Sequence, residues 1–148
     1  MKAKILVADD DEPVRKMVAR VLESGGYKAI QAGTGREAVA KFRANQPALV
    51  LLDLKMPEEG GWSAFDEFSR IDPMVPVIII TAWPDQYEQA VRRGIDALME
   101  KPLDLPLLLE TIVDLLSESE EQRTKRLTDR TFTTAFLAHV EGPKLSTG

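Results

Sequence analysis

The chain has 148 residues, 44% of them hydrophobic and 29% charged, which is enough apolar material for one compact core and too little length for two full domains. Cysteine is absent, which excludes a disulfide framework and a thiolate metal site, and no apolar stretch is long enough to cross a bilayer. A net charge of −5 argues against nucleic acid or anionic membrane held across the whole surface.

The first apolar run, Ile5 to Ala8, ends on Asp9 and Asp10. It starts almost at Met1, which leaves no room for a signal peptide and points to a cytoplasmic protein. A helix follows, with Pro13 in its first turn, a stripe of Val14, Met17, Val18, Val21 and Leu22, and Gly25-Gly26 at its end. Asp11 and Glu12 are capping and first-turn charges that complement the helix dipole. Lys28 to Gln31 is a weakly apolar strand suited to a sheet edge, and Gly35 to Ala44 is a second helix, closed by Asn45 and Pro47.

The alternation then repeats. Leu49 to Leu52 is a strand that ends on Asp53; a turn containing Pro57, Gly60 and Gly61 leads to a helix marked by Trp62, Phe65, Phe68 and Ile71. Val77 to Ile80 ends on Thr81, Pro84 opens a fourth helix that stops at Gly94, and Ala97 to Glu100 ends on Lys101. After Pro102, Leu105, Leu108, Leu109, Ile112, Leu115 and Leu116 recur at helical spacing. Buried Ile/Val/Leu runs alternating with amphipathic helices read as an α/β, doubly wound parallel sheet. In such a fold the polar strand ends gather along one edge, where ligands bind. An acid that interrupts LVLLDLKMP is costly in an apolar strand unless it serves a purpose. Three clustered carboxylates call for a cation, and an all-oxygen donor set suits Mg²⁺. Taken singly, Thr81 is also an ordinary β-branched strand residue and Lys101 a lysine at a strand end.

Four motifs in this order, ILVADDDEP, LLDLKMP, ITA and EKP, resemble the receiver domain of two-component response regulators, the CheY-like family, over roughly Ala3 to Leu116. The resemblance implies a flavodoxin-like, three-layer sandwich of five helices around a five-stranded sheet of order 2-1-3-4-5. It also implies a signalling module that takes a phosphoryl group on Asp53 from a sensor histidine kinase or phosphotransfer protein and switches a surface for a downstream protein. Mg²⁺ or Mn²⁺ would be held by Asp9, Asp10, Asp53 and the backbone carbonyl of Lys55; Lys101 would pair with phosphoryl oxygens, Thr81 would hydrogen-bond them, and the bond before Pro102 would be cis. Such a module is not an enzyme on other molecules. Two other classes share features with it. A constitutive scaffold would dispense with Asp9, Asp10, Asp53, Thr81 and Lys101, all present here; a phosphohydrolase of the haloacid dehalogenase type would need an Asp where Lys55 stands.

Four positions depart from the common pattern. Leu98 stands where the family often has an aromatic ring that turns inward on activation, and Gly60 replaces a common Asp. Trp83 and Lys55 flank the site at positions that influence loss of the phosphoryl group, and a ring and a cation there imply a long-lived phosphoryl state.

The expected division is a receiver at residues 1–117 and a helical extension or partly disordered tail at 118–148. The last receiver helix is expected to run on through EEQRTKR, and Asp129 to cap a further helix carrying Phe132, Phe136, Leu137 and Val140. That amphipathic hook would pack onto its own receiver, form a homodimer or mark the start of a further domain. The bases Arg123, Lys125, Arg126 and Arg130 are offset by acids and are a weak nucleic-acid signal, and His139, the only histidine, is read as a surface or interface residue rather than a phosphodonor.

Overall fold

The computed structural model describes residues 2–138. His139 and Val140 lie outside the described residues. Among the described residues, six strands, β1 (Lys4–Ala8), β2 (Lys28–Ala32), β3 (Leu49–Leu52), β4 (Val77–Thr81), β5 (Ala97–Glu100) and β6 (Ala135–Leu137), form one sheet of order β2-β1-β3-β4-β5-β6. Every neighbouring pair is parallel. The helices are α1 (Glu12–Ser24), α2 (Gly35–Asn45), α3 (Gly61–Ile71), α4 (Tyr87–Arg93), α5 (Leu105–Leu116) and α6 (Glu120–Thr128). The expected 2-1-3-4-5 order is present, with β2 at an edge, and β6 extends it beyond β5.

Strand periodicity divides the core into two layers. Leu6, Val50, Leu52, Ile79 and Leu98 face one side and pack with Phe42, Phe65 and Phe68 of α2 and α3. Ile5, Val7, Leu49, Leu51, Ile78, Ile80 and Met99 face the other side and pack with Val18 and Leu22 of α1 and Leu108 and Ile112 of α5. Because both faces are covered, β1, β3 and β4 read as nearly unbroken apolar runs. Phe42 and Phe68 stack at 4.6 Å and bind α2 to α3. The Asp11 side chain caps α1 by accepting from the Val14 N–H at 3.3 Å. No helix among the described residues is long and apolar enough to cross a membrane.

Three expectations at the level of elements are corrected. α4 begins at Tyr87 rather than Pro84, because Asp85 has a left-handed backbone (φ 62°) that cannot belong to a helix. α5 does not run on: the helix ends at Leu116, and Ser119 and Gln122 form a capping box that starts α6 afresh. The further helix expected from Asp129 is absent from the described residues. The Asp129 carboxylate instead accepts from the N–H and hydroxyl of Thr131 in a turn, and the β-branched, aromatic stretch TFTTAFL enters the sheet as β6.

Candidate functional site

The parallel ladder continues one residue past the strand ends, and that places the site. The Asp9 N–H donates to Ala32 O at 3.0 Å, the Asp53 N–H to Ala8 O at 2.8 Å, and the Lys101 N–H to Thr81 O at 2.8 Å. Backbone pairing therefore brings residues from three separate motifs to the carboxyl edge of the sheet. One carboxylate oxygen from each of Asp9, Asp10 and Asp53 lies within 4.8 Å of the others. Asp9 and Asp53 are buried and Asp10 is exposed, so the cluster has one open side. Lys101 Nζ stands 2.9 Å from Asp9 Oδ2 and 3.3 Å from Asp53 Oδ2, and its bond to Pro102 is cis.

Two main-chain donors orient the acids. The Asp11 N–H donates to Asp9 Oδ1 at 2.9 Å and the Lys55 N–H to Asp53 Oδ1 at 3.2 Å. Thr81 is buried at the end of β4, and its hydroxyl accepts from the Trp83 N–H at 3.0 Å. The side chains of Lys55 and Trp83 are exposed. α3 presses on the back of the site: a Cβ on Gly61 would lie 2.5 Å from Asp53 O and 2.6 Å from Leu54 Cα, so only glycine fits without a shift. The loop between Asp53 and α3 holds two left-handed residues, Glu58 (φ 54°) and Glu59 (φ 93°), while N–H groups at the start of α2 donate to Pro57 O and Glu58 O.

The cluster is short of positive charge. Burial, followed by the neighbouring Asp9 carboxylate, pushes the Asp53 pKa up to about 7; the charge of Lys101 and the Lys55 N–H oppose this without cancelling it. Burial works to lower the Lys101 pKa, but its contacts with Asp9 and Asp53 outweigh that and raise it, so the lysine stays charged. Asp9 Oδ2 is buried without a well-directed hydrogen bond, although Lys101 lies at ion-pair distance. Three carboxylates, one ammonium and a buried Asp9 oxygen without a directed donor, with Asp10 on the exposed side, suit a divalent cation that prefers oxygen ligands.

The family model of the response regulator receiver domain matches residues 5–113. The chain belongs to the response regulator receiver family. It is 31% identical over 126 residues to the polar-differentiation response regulator DivK of Brucella ovis, covering 80% of this chain and 100% of DivK. It superposes on a CheY-like receiver domain protein from Methanospirillum hungatei with a TM-score of 0.76 and 28% identity, covering 84% of this chain and 99% of that one. CheY of Borrelia burgdorferi, in a CheX-CheY-BeF3-Mg+2 complex, matches with a TM-score of 0.69 and 28% identity over 76% of this chain and 88% of that one. Against transcriptional regulatory proteins that it matches at 33% identity, the receiver spans 28% of their length. The chain is thus a phosphorylation-controlled module of two-component signalling, in the flavodoxin-like fold expected from its sequence.

Beyond that edge, the receiver has a second charge cluster that sequence reasoning missed. Asp96, just before β5 at the opposite end of the sheet, is buried. Its Oδ1 accepts from Arg123 and from Arg126 (2.7 Å), and its Oδ2 from Arg123 (3.1 Å) and the Val77 N–H (2.9 Å). Glu118 takes Arg126 in a bidentate pair at 2.7 and 2.8 Å. That hydrogen bond holds Glu118 below the usual carboxylate range against some burial. The signal was present: Asp96 breaks an apolar run just as Asp53 does, but at its start. Two of the four bases read as a weak nucleic-acid signal are engaged inward here.

Proposed function

We propose that Asp53 is the phosphoacceptor of this receiver, taking the phosphoryl group from the phosphohistidine of a sensor histidine kinase or phosphotransfer protein. The observation that carries this reading is the meeting of Asp53 with Asp9, Asp10 and Lys101 at the one open, underneutralised point of the sheet edge. An Asp53 oxygen attacks phosphorus as the P–N bond breaks; a P–O bond forms and the electron pair leaves with the imidazole. Lys101, held charged by its carboxylate neighbours, pairs with the phosphoryl oxygens. Asp9, Asp10, Asp53 and the backbone carbonyl of Lys55 would hold Mg²⁺ or Mn²⁺, which supplies charge neutralisation to the carboxylates and to the transferred group. Water later attacks the same phosphorus, releasing phosphate and restoring Asp53. The protein promotes only these steps on itself.

In this reading the Thr81 hydroxyl bonds the new phosphoryl group and draws residues 82–86 inward, so that the surface around α4 and β5 changes for a downstream protein. The receiver comprises residues 1–117, with 118–148 as its extension, and acts in the cytoplasm. A homodimer through the last helices would cover Val113, which stands exposed on α5. Engagement of Arg123 and Arg126 with Asp96 and Glu118 leaves little of a basic face for nucleic acid.

Incubation with Mg²⁺ and acetyl phosphate, read by intact mass, tests the assignment. One phosphoryl adduct on the wild type and none on Asp53→Asn is expected. An adduct that survives in Asp53→Asn sinks it, no adduct on either favours a constitutive scaffold, and multiple turnover of a phosphomonoester favours a phosphohydrolase.

A further inference from the structure

β6 is held to the sheet mainly by side chains outside its own ladder. Only Ala135–Leu137 pair with β5, in the register Ala97↔Ala135, Leu98↔Phe136 and Met99↔Leu137, and Phe136 is 50% exposed. An edge strand of three residues with so little burial opens at small cost. The Thr134 hydroxyl donates to Ile95 O at 2.8 Å and the Ala135 N–H to Asp96 O at 3.0 Å. Leu137 packs against the core layer of Met99, Leu108 and Ile112, and one residue of α4 adds two more ties: the Tyr87 hydroxyl donates to Thr134 O at 2.7 Å, and its ring meets Phe136 edge-on at 6.2 Å.

Tyr87 is also where the loop from the site ends. Thr81 and Tyr87 are six residues apart, and the first step between them is the Trp83 N–H on the Thr81 hydroxyl. Next to Tyr87, the Gln86 side chain donates to Pro84 O at 3.2 Å, which braces the loop internally, and accepts from the Trp62 indole of α3 at 3.2 Å. On the other flank, β5 runs from its pairing with β6 straight into Lys101. Lys101, Pro102, Phe136, Leu137 and Ala138 line one cavity of about 470 Å³. Leu98, opposite Phe136, is locked in the core and offers no ring to move.

We propose that β6 is a built-in occupant of the β5 edge whose docking is coupled to the Asp53 site through Tyr87, so that a phosphoryl group on Asp53 loosens the strand. The inference rests on the assignment of Asp53 as phosphoacceptor. Displacement of the Thr81 hydroxyl towards Asp53 carries the Trp83 amide and the loop with it, and draws Tyr87 away from Thr134 and Phe136.

Hydrogen exchange of the full chain, read by mass spectrometry in Mg²⁺ with and without beryllofluoride, tests the coupling, while ¹⁹F NMR reports the bound mimic. Amides of residues 134–138 are expected to exchange about fivefold faster or more when beryllofluoride is bound. In Tyr87→Phe they exchange fast without the mimic and no longer respond to it. Unchanged or slower exchange, with a bound ¹⁹F signal that disappears in Asp53→Asn, overturns the coupling and leaves the phosphoacceptor assignment standing. A full response in Tyr87→Phe overturns the route through Tyr87. Absence of any bound signal removes both readings together.

Discussion

The two ends of this sheet carry charge clusters built from the same residue types to opposite purposes. At the amino end, Asp96 and Glu118 face Arg123 and Arg126 in equal number, and all four carboxylate oxygens accept hydrogen bonds, although Arg123 Nε finds no acceptor. At the carboxyl end, Asp9, Asp10 and Asp53 share one lysine, and one buried oxygen lacks a directed partner. Buried charge that is matched holds structure together, whereas buried charge left unmatched is destabilising until something binds. The same conservative substitution is therefore expected to have opposite signs at the two ends.

The largest effect belongs to Asp96→Asn. It removes the close partner of buried Arg123 and leaves only Glu118, at 3.8 Å, to offset its charge, and the expected cost is about 3 kcal/mol of unfolding free energy, seen as a lower denaturant midpoint. Asp53→Asn removes a repelling charge while keeping the shape, and is expected to stabilise the metal-free protein by about 1 kcal/mol, a fraction of what the raised pKa implies. Addition of Mg²⁺ should raise the melting temperature of the wild type and leave Asp53→Asn nearly unmoved. Loss of stability in Asp53→Asn would show that the site is not underneutralised.

Acid separates the ends as well. The Asp53 pKa is raised in the folded chain, so between its ordinary range and about 7 the folded state holds more protons than the unfolded, and stability falls as pH rises through that window. Glu118 is lowered, so its contribution stands above the ordinary carboxylate range and is lost only as pH falls through its depressed value. Without metal, the wild type should lose stability from pH 5 to pH 8, and Asp53→Asn should lose less. Mg²⁺ competes with the proton on Asp53, and its affinity should rise about tenfold from pH 6 to pH 8 for a pKa near 7. A flat profile in calorimetric titrations would mean that Asp53 is already ionised at pH 6.

How far this contrast was legible in the sequence follows from where each acid stands. Asp53 and Asp9 end apolar runs, and a parallel sheet delivers strand ends to one edge whatever the loops do, so the five core strands and the convergence of these acids could be read directly. Gly61 was seen only as part of a permissive turn, because its close approach to Asp53 O is a tertiary contact that no local pattern encodes. Asp96 matters through Arg123 and Arg126, 27 and 30 residues away, and i,i+4 reasoning about α6 does not reach that far. β6 was misread because Phe132, Phe136, Leu137 and Val140 fit a helical stripe, while the turn at Asp129 and the hydrogen bonds from Tyr87 and Thr134 placed Ala135–Leu137 on β5 instead.

The smallest expected effect concerns what shields the open end. Trp83 and Lys55 each contribute a main-chain N–H to the site, to the Thr81 hydroxyl and to Asp53 Oδ1, and each points an exposed side chain outward. Alanine at either position keeps the N–H and removes only the ring or the cation, so the substitution isolates the side chain's part in excluding water. If the side chains slow attack on the phosphoryl group, Trp83→Ala and Lys55→Ala should each speed its loss about two- to fivefold, a barrier change of under ~1 kcal/mol. The rate is read from decay of the intact-mass adduct after the phosphodonor is removed. Unchanged decay in both variants would place the protection deeper, in the burial of Asp53 beneath the loop that Gly61 closes, and would leave the two exposed side chains without a part in the lifetime.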